Sequence, residues 1–418
     1  MSKITQMYLK VVPVAFLILF ASLGLLTIMP ARADQVLTLG RIWGSNIAVD
    51  SAGRVALTGS TAGFGDGQSL AVLFKYTPSG KILCFKTFGG STTSNPQDTF
   101  GYGVAFDSSN SMYWTGTTQT FGGEDFDVFL QKFDSSCNLI FTMQWGGAGN
   151  DVPRGIAVDS VDNVYIAGST DSFGAGLSDA FLLKYSADGE FQFSRMWGGL
   201  KNDLATGVAV DSAGNVYVAG ATESFGAGQS EVFLLKYDSM GNLLFQTTWG
   251  GPQNDYASGL AVDAAGNVYV TGYTYSYGVT QGIASVILLK YDPSGNLLFQ
   301  KTWGGAQNDY GSGVAVDGAG NVYVTGYTYS FSVTPGVANA FLLKYDSSGN
   351  LLLQNIWGGN KGDYGYGIAT DHAGNIYVSG YTYSFGPNSQ GVNVFLLKYD
   401  RSGNLLFQKT YGGRIPTP

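Results

Sequence analysis

Residues 304–357 read GGAQNDYGSGVAVDGAGNVYVTGYTYSFSVTPGVANAFLLKYDSSGNLLLQNIW. Four short apolar runs punctuate the stretch: GVAVD (313–317), NVYVTG (321–326), FLLKYD (341–346) and NLLLQNIW (350–357), rich in Val, Tyr, Phe and Leu. Such runs between turn residues read as β-strands, here A, B, C and D in order. A D-x-x-G-N turn (317–321) joins A to B, and D-x-S-G-N (346–350) joins C to D. In both, glycine supplies positive φ and the Asp or Asn side chain bonds the turn backbone, so each pair is an antiparallel hairpin. Along B and C the apolar residues do not alternate with polar ones, as in a sheet covered on both faces.

Outward from this stretch the unit repeats. Trp145, Trp197, Trp249, Trp303, Trp357 and Tyr411 close successive copies at spacings of 52, 52, 54, 54 and 54 residues. Phe88 closes a more degenerate copy and Trp43 marks the start of the first, giving units at about 43–88, 89–145, 146–197, 198–249, 250–303, 304–357 and 358–413. Four-stranded antiparallel blades packed face to face around an axis satisfy the pattern. The expected fold is all-β: a seven-bladed β-propeller forming one domain over 34–418. Residues 36–44 (VLTLGRIWG) are a further strand candidate, expected to pair in the last blade as its outer or an extra strand.

Ahead of the repeats, Lys3 and Lys10 flank the start of an apolar run from Val11 to Met29, and Ala31-Arg32-Ala33 precedes Asp34. This reads as a signal peptide over 1–33 cut after Ala33, giving a secreted or periplasmic protein; the alternative is an uncleaved signal anchor. Cleavage leaves 19 Lys+Arg against 30 Asp+Glu, a net charge of −11. An acidic chain has no basic surface for a phosphate backbone, which excludes nucleic acid as a partner. The 61 glycines, 44% hydrophobic and 12% charged residues exclude a disordered chain. One histidine, His372 in an A–B turn, leaves no His-based zinc site or conventional catalytic triad. Cys84 and Cys137 fall on adjacent blades, in a D strand and a C–D turn; export permits a disulfide, but the separation these positions imply argues against one.

The unit G-[VI]-A-V-D-x-x-G-N-V-Y-V-[AT]-G, followed by F-L-L-K-Y-D-x-x-G-N and W-G-G, resembles the bacterial β-propeller repeat called SBBP, and more loosely the NHL repeat. Units one and two depart from it, with Ser45 in place of a glycine and Cys137 in place of the turn glycine. The resemblance implies an exported propeller and no particular reaction.

Residues kept in every unit are most economically assigned to the blade itself. They include Lys75, Lys132, Lys184, Lys236, Lys290, Lys344 and Lys398 in strand C, and Asp50, Asp107, Asp159, Asp211, Asp263, Asp317 and Asp371 at the end of strand A. Both sets belong at the turn end, where they are expected to form framework ion pairs or turn caps. Trp197, Trp249, Trp303 and Trp357 are expected to fill the wedge between blades.

The opposite face, with the D–A and B–C loops, carries the variation, and binding residues concentrate on such loops. Asp98, Asp151, Asp203, Asp255, Asp309 and Asp363 recur in its D–A loops. They either form an acidic ring at the channel mouth able to hold Ca²⁺, or each caps its own loop. At the end of strand B, Gln119, Asp171 and Glu223 give way to Tyr275, Tyr329 and Tyr383; two residues earlier Thr117, Ser169 and Ala221 give way to Tyr273, Tyr327 and Tyr381. Glu124, Asp125, Asp127, Asp179 and Glu231 reinforce the acidic half, while Gln281, Asn339, Asn388, Gln390 and Asn393 stand beside the tyrosines. Aromatic faces beside amides suit sugar rings or peptide segments. The tyrosines alternatively pack between strands of late-copied units. The expected function is binding or scaffolding by a monomer, without enzymatic activity, of a glycan, peptide or protein through the loop face. The alternative is a carboxylate-dependent, Ca²⁺-assisted hydrolase or lyase acting on an extracellular polymer.

Overall fold

A computed structural model describes residues 37–39, 46–62, 69–90, 97–120, 124–387 and 391–415. The expected signal sequence and its cleavage site, with Trp43, Ser45, Asn388 and Gln390, lie outside them. Seven four-stranded antiparallel sheets follow one another in chain order, each built from four consecutive strands. Blade 6 holds A (Asp309–Val316), B (Val322–Thr328), C (Asn339–Tyr345) and D (Leu351–Trp357). The other blades span 46–88, 99–145, 151–197, 203–249, 255–303 and 363–411.

Burial explains the uneven patterning. Strands B and C lie between neighbouring sheets and are buried along nearly their whole length, whereas D alternates exposed and half-buried residues as an outer edge does. The core lies between blades. Tyr269, Val286 and Leu288 of blade 5 pack on Val314, Val324 and Phe341 of blade 6, and each further interface has such a cluster. Full burial of one such side chain contributes about 1.5–3 kcal/mol. No blade can bury both faces alone, so stability is a property of the closed ring.

Closure differs from the expectation. Leu37–Leu39 pairs with Gly413–Ile415 in a separate two-stranded ribbon rather than joining the last blade. The seventh sheet is already complete with Leu405–Tyr411. Packing closes the ring instead: Tyr377, Val394 and Leu396 of blade 7 meet Ile47, Leu57 and Phe74 of blade 1, and Tyr411 donates to the Gly80 carbonyl at 3.2 Å.

The repeated aspartates cap their own A–B turns. Asp317 Oδ1 accepts the backbone N–H groups of Ala319 and Asn321, and Oδ2 accepts Asn321 Nδ2 and the Tyr323 hydroxyl. Asp211, Asp263 and Asp371 accept the matching bonds in their own turns. The strand C lysines do not pair with these saturated carboxylates as a set. Each Nζ donates to a carbonyl in the C–D turn of the next blade: Lys184 to Ser239 at 2.7 Å, Lys236 to Pro293 at 2.7 Å, Lys290 to Ser347 and Lys344 to Arg401 at 2.9 Å, and Lys398 to Pro78 at 3.2 Å across the closure. Strand C faces the next blade, and the long lysine stem reaches that turn more readily than it reaches its own blade's capped Asp. Lys132–Asp107, at 3.2 Å, is the one Lys–Asp pair of the expected kind among the described residues. The closing tryptophans do lie between blades: Trp303 sits 4.7 Å from Phe341 of the next blade, and its Nε1 donates to Gln354. Trp197, Trp249 and Trp357 make the same bond to Gln246, Gln300 and Gln408.

Cys84 and Cys137 are bonded, with Cα atoms 6.6 Å apart, contrary to expectation. Their positions explain it. In the later blades the C–D turn glycine rests on a large D-strand residue of the preceding blade; a Cβ on Gly295 would stand 2.9 Å from the Phe245 ring. Register aligns Cys84 with that residue, and Cys137, at φ +69°, stands in the glycine's place. The disulfide thus replaces an inter-blade contact that the other blades make by packing.

Candidate functional site

Strand A begins at the loop face, where Asp151, Asp203, Asp255, Asp309 and Asp363 are fully buried. Asp309 Oδ2 accepts Gly305 N at 2.9 Å and Ser330 Oγ at 2.7 Å, while Oδ1 accepts the Thr328 hydroxyl. Each therefore ties its own D–A loop to its own B–C loop, as Asp203 does through Gly199 and Ser224. Burial raises the pKa of Asp151 against the hydrogen bonds from Thr170, Ser172 and Gly147. Asp98 is out of register with the set: Thr99 takes the equivalent place opposite Thr118, and Asp98 accepts Ser69 N. Among the described residues no three His, Cys, Asp or Glu side chains form a metal-sized group.

The acidic half is similarly turned to its own loops. Asp179 Oδ2 accepts Ala175 N and Gly176 N, and Glu231 accepts Ala227 N and Gly228 N. Glu223 accepts Asn202 Nδ2 at 3.1 Å, and Asp171 stands exposed. The amides expected to greet a ligand are partly spent in the same way. Asn339 and Asn393 are buried, and Asn339 Oδ1 accepts Val333 N. His372 is exposed on the opposite face.

The tyrosines form one system. Register places Tyr256 opposite Tyr273, Tyr310 opposite Tyr327 and Tyr364 opposite Tyr381, with ring centroids 5.0, 5.0 and 4.8 Å apart. Contacts between blades connect the pairs: Tyr273 to Tyr310 at 4.9 Å and Tyr327 to Tyr364 at 5.0 Å. Tyr275, Tyr329 and Tyr383 stand edge-on to Tyr273, Tyr327 and Tyr381. Tyr366 stacks on Tyr381 at 5.4 Å. Ten tyrosines thus make a wall across blades 5 to 7. Burial raises the Tyr273 phenol to about 12 and pushes Tyr310, Tyr327 and Tyr366 higher still, helped by neighbouring phenols. At neutral pH these groups are hydrogen-bonding hydroxyls, not nucleophiles or bases.

A cavity of about 530 Å³ opens against the wall, lined by Tyr310, Tyr327, Tyr329, Tyr364, Tyr366 and Tyr381 with Gln307 and Asn308. A second, of about 390 Å³, shares Tyr310, Tyr327 and Tyr366 and leads to the axis. Its inner wall comes from a repeated β-bulge in strand A, which re-aims one residue per blade: Tyr102, Arg154, Thr206, Ser258, Ser312 and Tyr366. An axial cavity of about 320 Å³ continues below. Among the described residues, no carboxylate lines any of the three.

Sequence reasoning missed Tyr256, Tyr310 and Tyr364, although a signal existed: each follows the loop Asp directly, where blades 3 and 4 carry Val152 and Leu204. The bulge residues carry no such signal, because the extra residue is seen only in the pairing.

Segments 140–174, 192–225, 248–278, 303–331 and 356–386 match the family profile described as the SBBP beta-propeller repeat. Over 249 residues the chain is 28% identical to the regulatory protein FlaEY of Caulobacter vibrioides, covering 48% of this chain and 26% of that protein. It is 23% identical over 404 residues to an uncharacterized WD repeat-containing protein of Acanthamoeba polyphaga mimivirus, covering 67% of this chain and 29% of that one. The chain spans under a third of the length of these relatives. Among solved structures, the β-propeller domain of the trilobed protease from Pyrococcus furiosus, described by its open velcro topology, aligns with a TM-score of 0.52 at 8% identity, over 89% of this chain and 96% of that one. At that identity the likeness is one of fold.

Proposed function

Since this chain is a β-propeller built of SBBP repeats, we propose that it is an exported binding and scaffold module without enzymatic activity, taking a glycan, peptide or protein segment against the tyrosine wall. The observation that carries this reading is the convergence of ten tyrosines on one half of the loop face, six of them lining a cavity large enough for a ligand. Tyrosine offers a large apolar face with a hydroxyl tip at small entropic cost, the combination suited to extended polar ligands. That no carboxylate among the described residues lines the three cavities supports binding over two-carboxylate hydrolysis. The apolar, A-x-A-terminated N-terminus supports export, and the Cys84–Cys137 disulfide suits an oxidising compartment.

Glycan and peptide arrays probed with the mature protein and with Tyr329→Ala, each with and without EDTA, test the reading. Binding that is indifferent to EDTA and lost in Tyr329→Ala is expected. No binding on either array, or binding untouched by the substitution, overturns it.

A further inference from the structure

Among the described residues, Arg154 is the only cation lining the three cavities, and no described acid lines them to pair with it. Its guanidinium lies over the Tyr102 ring, 4.9 Å from the centroid, and is exposed to the channel mouth. The bulge that re-aims it puts Thr206, Ser258 and Ser312 at the matching positions of the next three blades. The second cavity is therefore lined by a guanidinium, by the hydroxyls of Ser258 and Ser312, and by Tyr273, Tyr310 and Tyr327, while the Thr206 hydroxyl donates to the Ala257 carbonyl. In a chain of net charge −8, a cation lining a cleft with no acid partner among the described residues is a distinct electrostatic feature.

Resting on the tyrosine-wall reading, we propose that the ligand is a carboxylated sugar chain, a uronate-containing oligosaccharide whose rings stack on the wall while one carboxylate pairs with Arg154. The planar guanidinium, lying over Tyr102, has N–H groups to offer a bidentate carboxylate. The Ser258 and Ser312 hydroxyls match the hydroxyls of a sugar ring, which favours a glycan over a peptide whose backbone would need paired N–H and C=O groups. The charged pair sets the preference among sugars, and the tyrosines supply stacking that neutral sugars share.

The test is calorimetric titration at low salt with a galacturonate tetramer and with its carboxyl-reduced, neutral counterpart, after a glycan array has confirmed uronate oligomers of other composition as comparators. Wild-type protein is expected to bind the best uronate at least tenfold more tightly than its neutral counterpart. Arg154→Gln is expected to weaken the uronate at least tenfold and the neutral sugar by much less, so that the preference disappears, and Arg154→Lys restores part of it. Because Arg154 is exposed, the same melting temperature in wild type and Arg154→Gln is expected. Equal affinities in wild type, or a preference that persists in Arg154→Gln, overturns the proposal. Neutral binding that is lost in Tyr327→Ala but shows no acid preference overturns the uronate assignment and leaves the tyrosine wall standing. Failure of every sugar, with Arg154-dependent binding of an oligoglutamate peptide, overturns the sugar class; failure of all probes overturns the wall as well.

Discussion

In blade 3 the cross-strand pair next to the loop face is Val152 opposite Ser169; in blade 6 the same pair is Tyr310 opposite Tyr327. The backbone beneath is shared, with the same loop-tying Asp, the same bulge and the same lysine reaching the next blade's turn. Blades 3 and 4 spend most of their distinctive acids on their own loops, through Asp179, Glu231 and Glu223. Blades 5 to 7 place their distinctive tyrosines on a surface that faces a cavity. Charge on a propeller rim is thus a poor guide to its site, because loops consume it, whereas rings too numerous for the core are left over for a ligand.

The largest effects test whether the frame is common to both halves. A Cβ on Gly220 would stand 2.0 Å from the Leu204 carbonyl, and on Gly326, 1.9 Å from that of Tyr310. Gly220→Ala and Gly326→Ala should each lose more than about 3 kcal/mol of stability in urea unfolding; a wild-type midpoint in either would break the equivalence of the halves.

Binding should separate them next. Tyr327→Ala is expected to weaken the ligand about tenfold or more by calorimetry, and Glu223→Ala less than about twofold. Extending the wall into blade 4 with Leu204→Tyr and Ala221→Tyr together should strengthen binding by about twofold to tenfold, the worth of one added aromatic pair. A reversed order would move the site to the acidic half.

Lys184→Met and Lys344→Met should each cost about 1 kcal/mol, a charged hydrogen bond discounted for partial exposure. Unchanged melting of both would remove the inter-blade lysine bond from the account. The smallest effect is in acid. Hydrogen bonds from Asn242 and Asn350 hold the C–D turn carboxylates Asp238 and Asp346 below their ordinary range. With folded pKa below unfolded, their contribution is complete above about pH 4 and fades as pH falls through the folded value. Asp238→Asn and Asp346→Asn should flatten the acid slope of the melting temperature equally; a flattening in one alone would mean that the turns are not equivalent.

The ring was legible in the sequence because turn residues and strand lengths are local and repeat. The lysine bonds and the disulfide were not, since both depend on which turn overhangs which neighbouring strand. The Tyr275, Tyr329 and Tyr383 series was visible by sliding copies along one another, but its partners Tyr310 and Tyr366 needed strand register and the bulge to be seen as one wall. Asp98 was misread because its loop is offset by one residue, which only the pairing of Thr99 with Thr118 reveals.

Hydroxyl-radical footprinting with and without the tightest-binding oligosaccharide tests the central claim most directly. Protection is predicted at Tyr310, Tyr327, Tyr364, Tyr366 and Tyr381, with the acidic rim around Asp171 and Glu223 unchanged. Protection at Asp171 and Glu223, with the tyrosines as reactive as in the free protein, would contradict it.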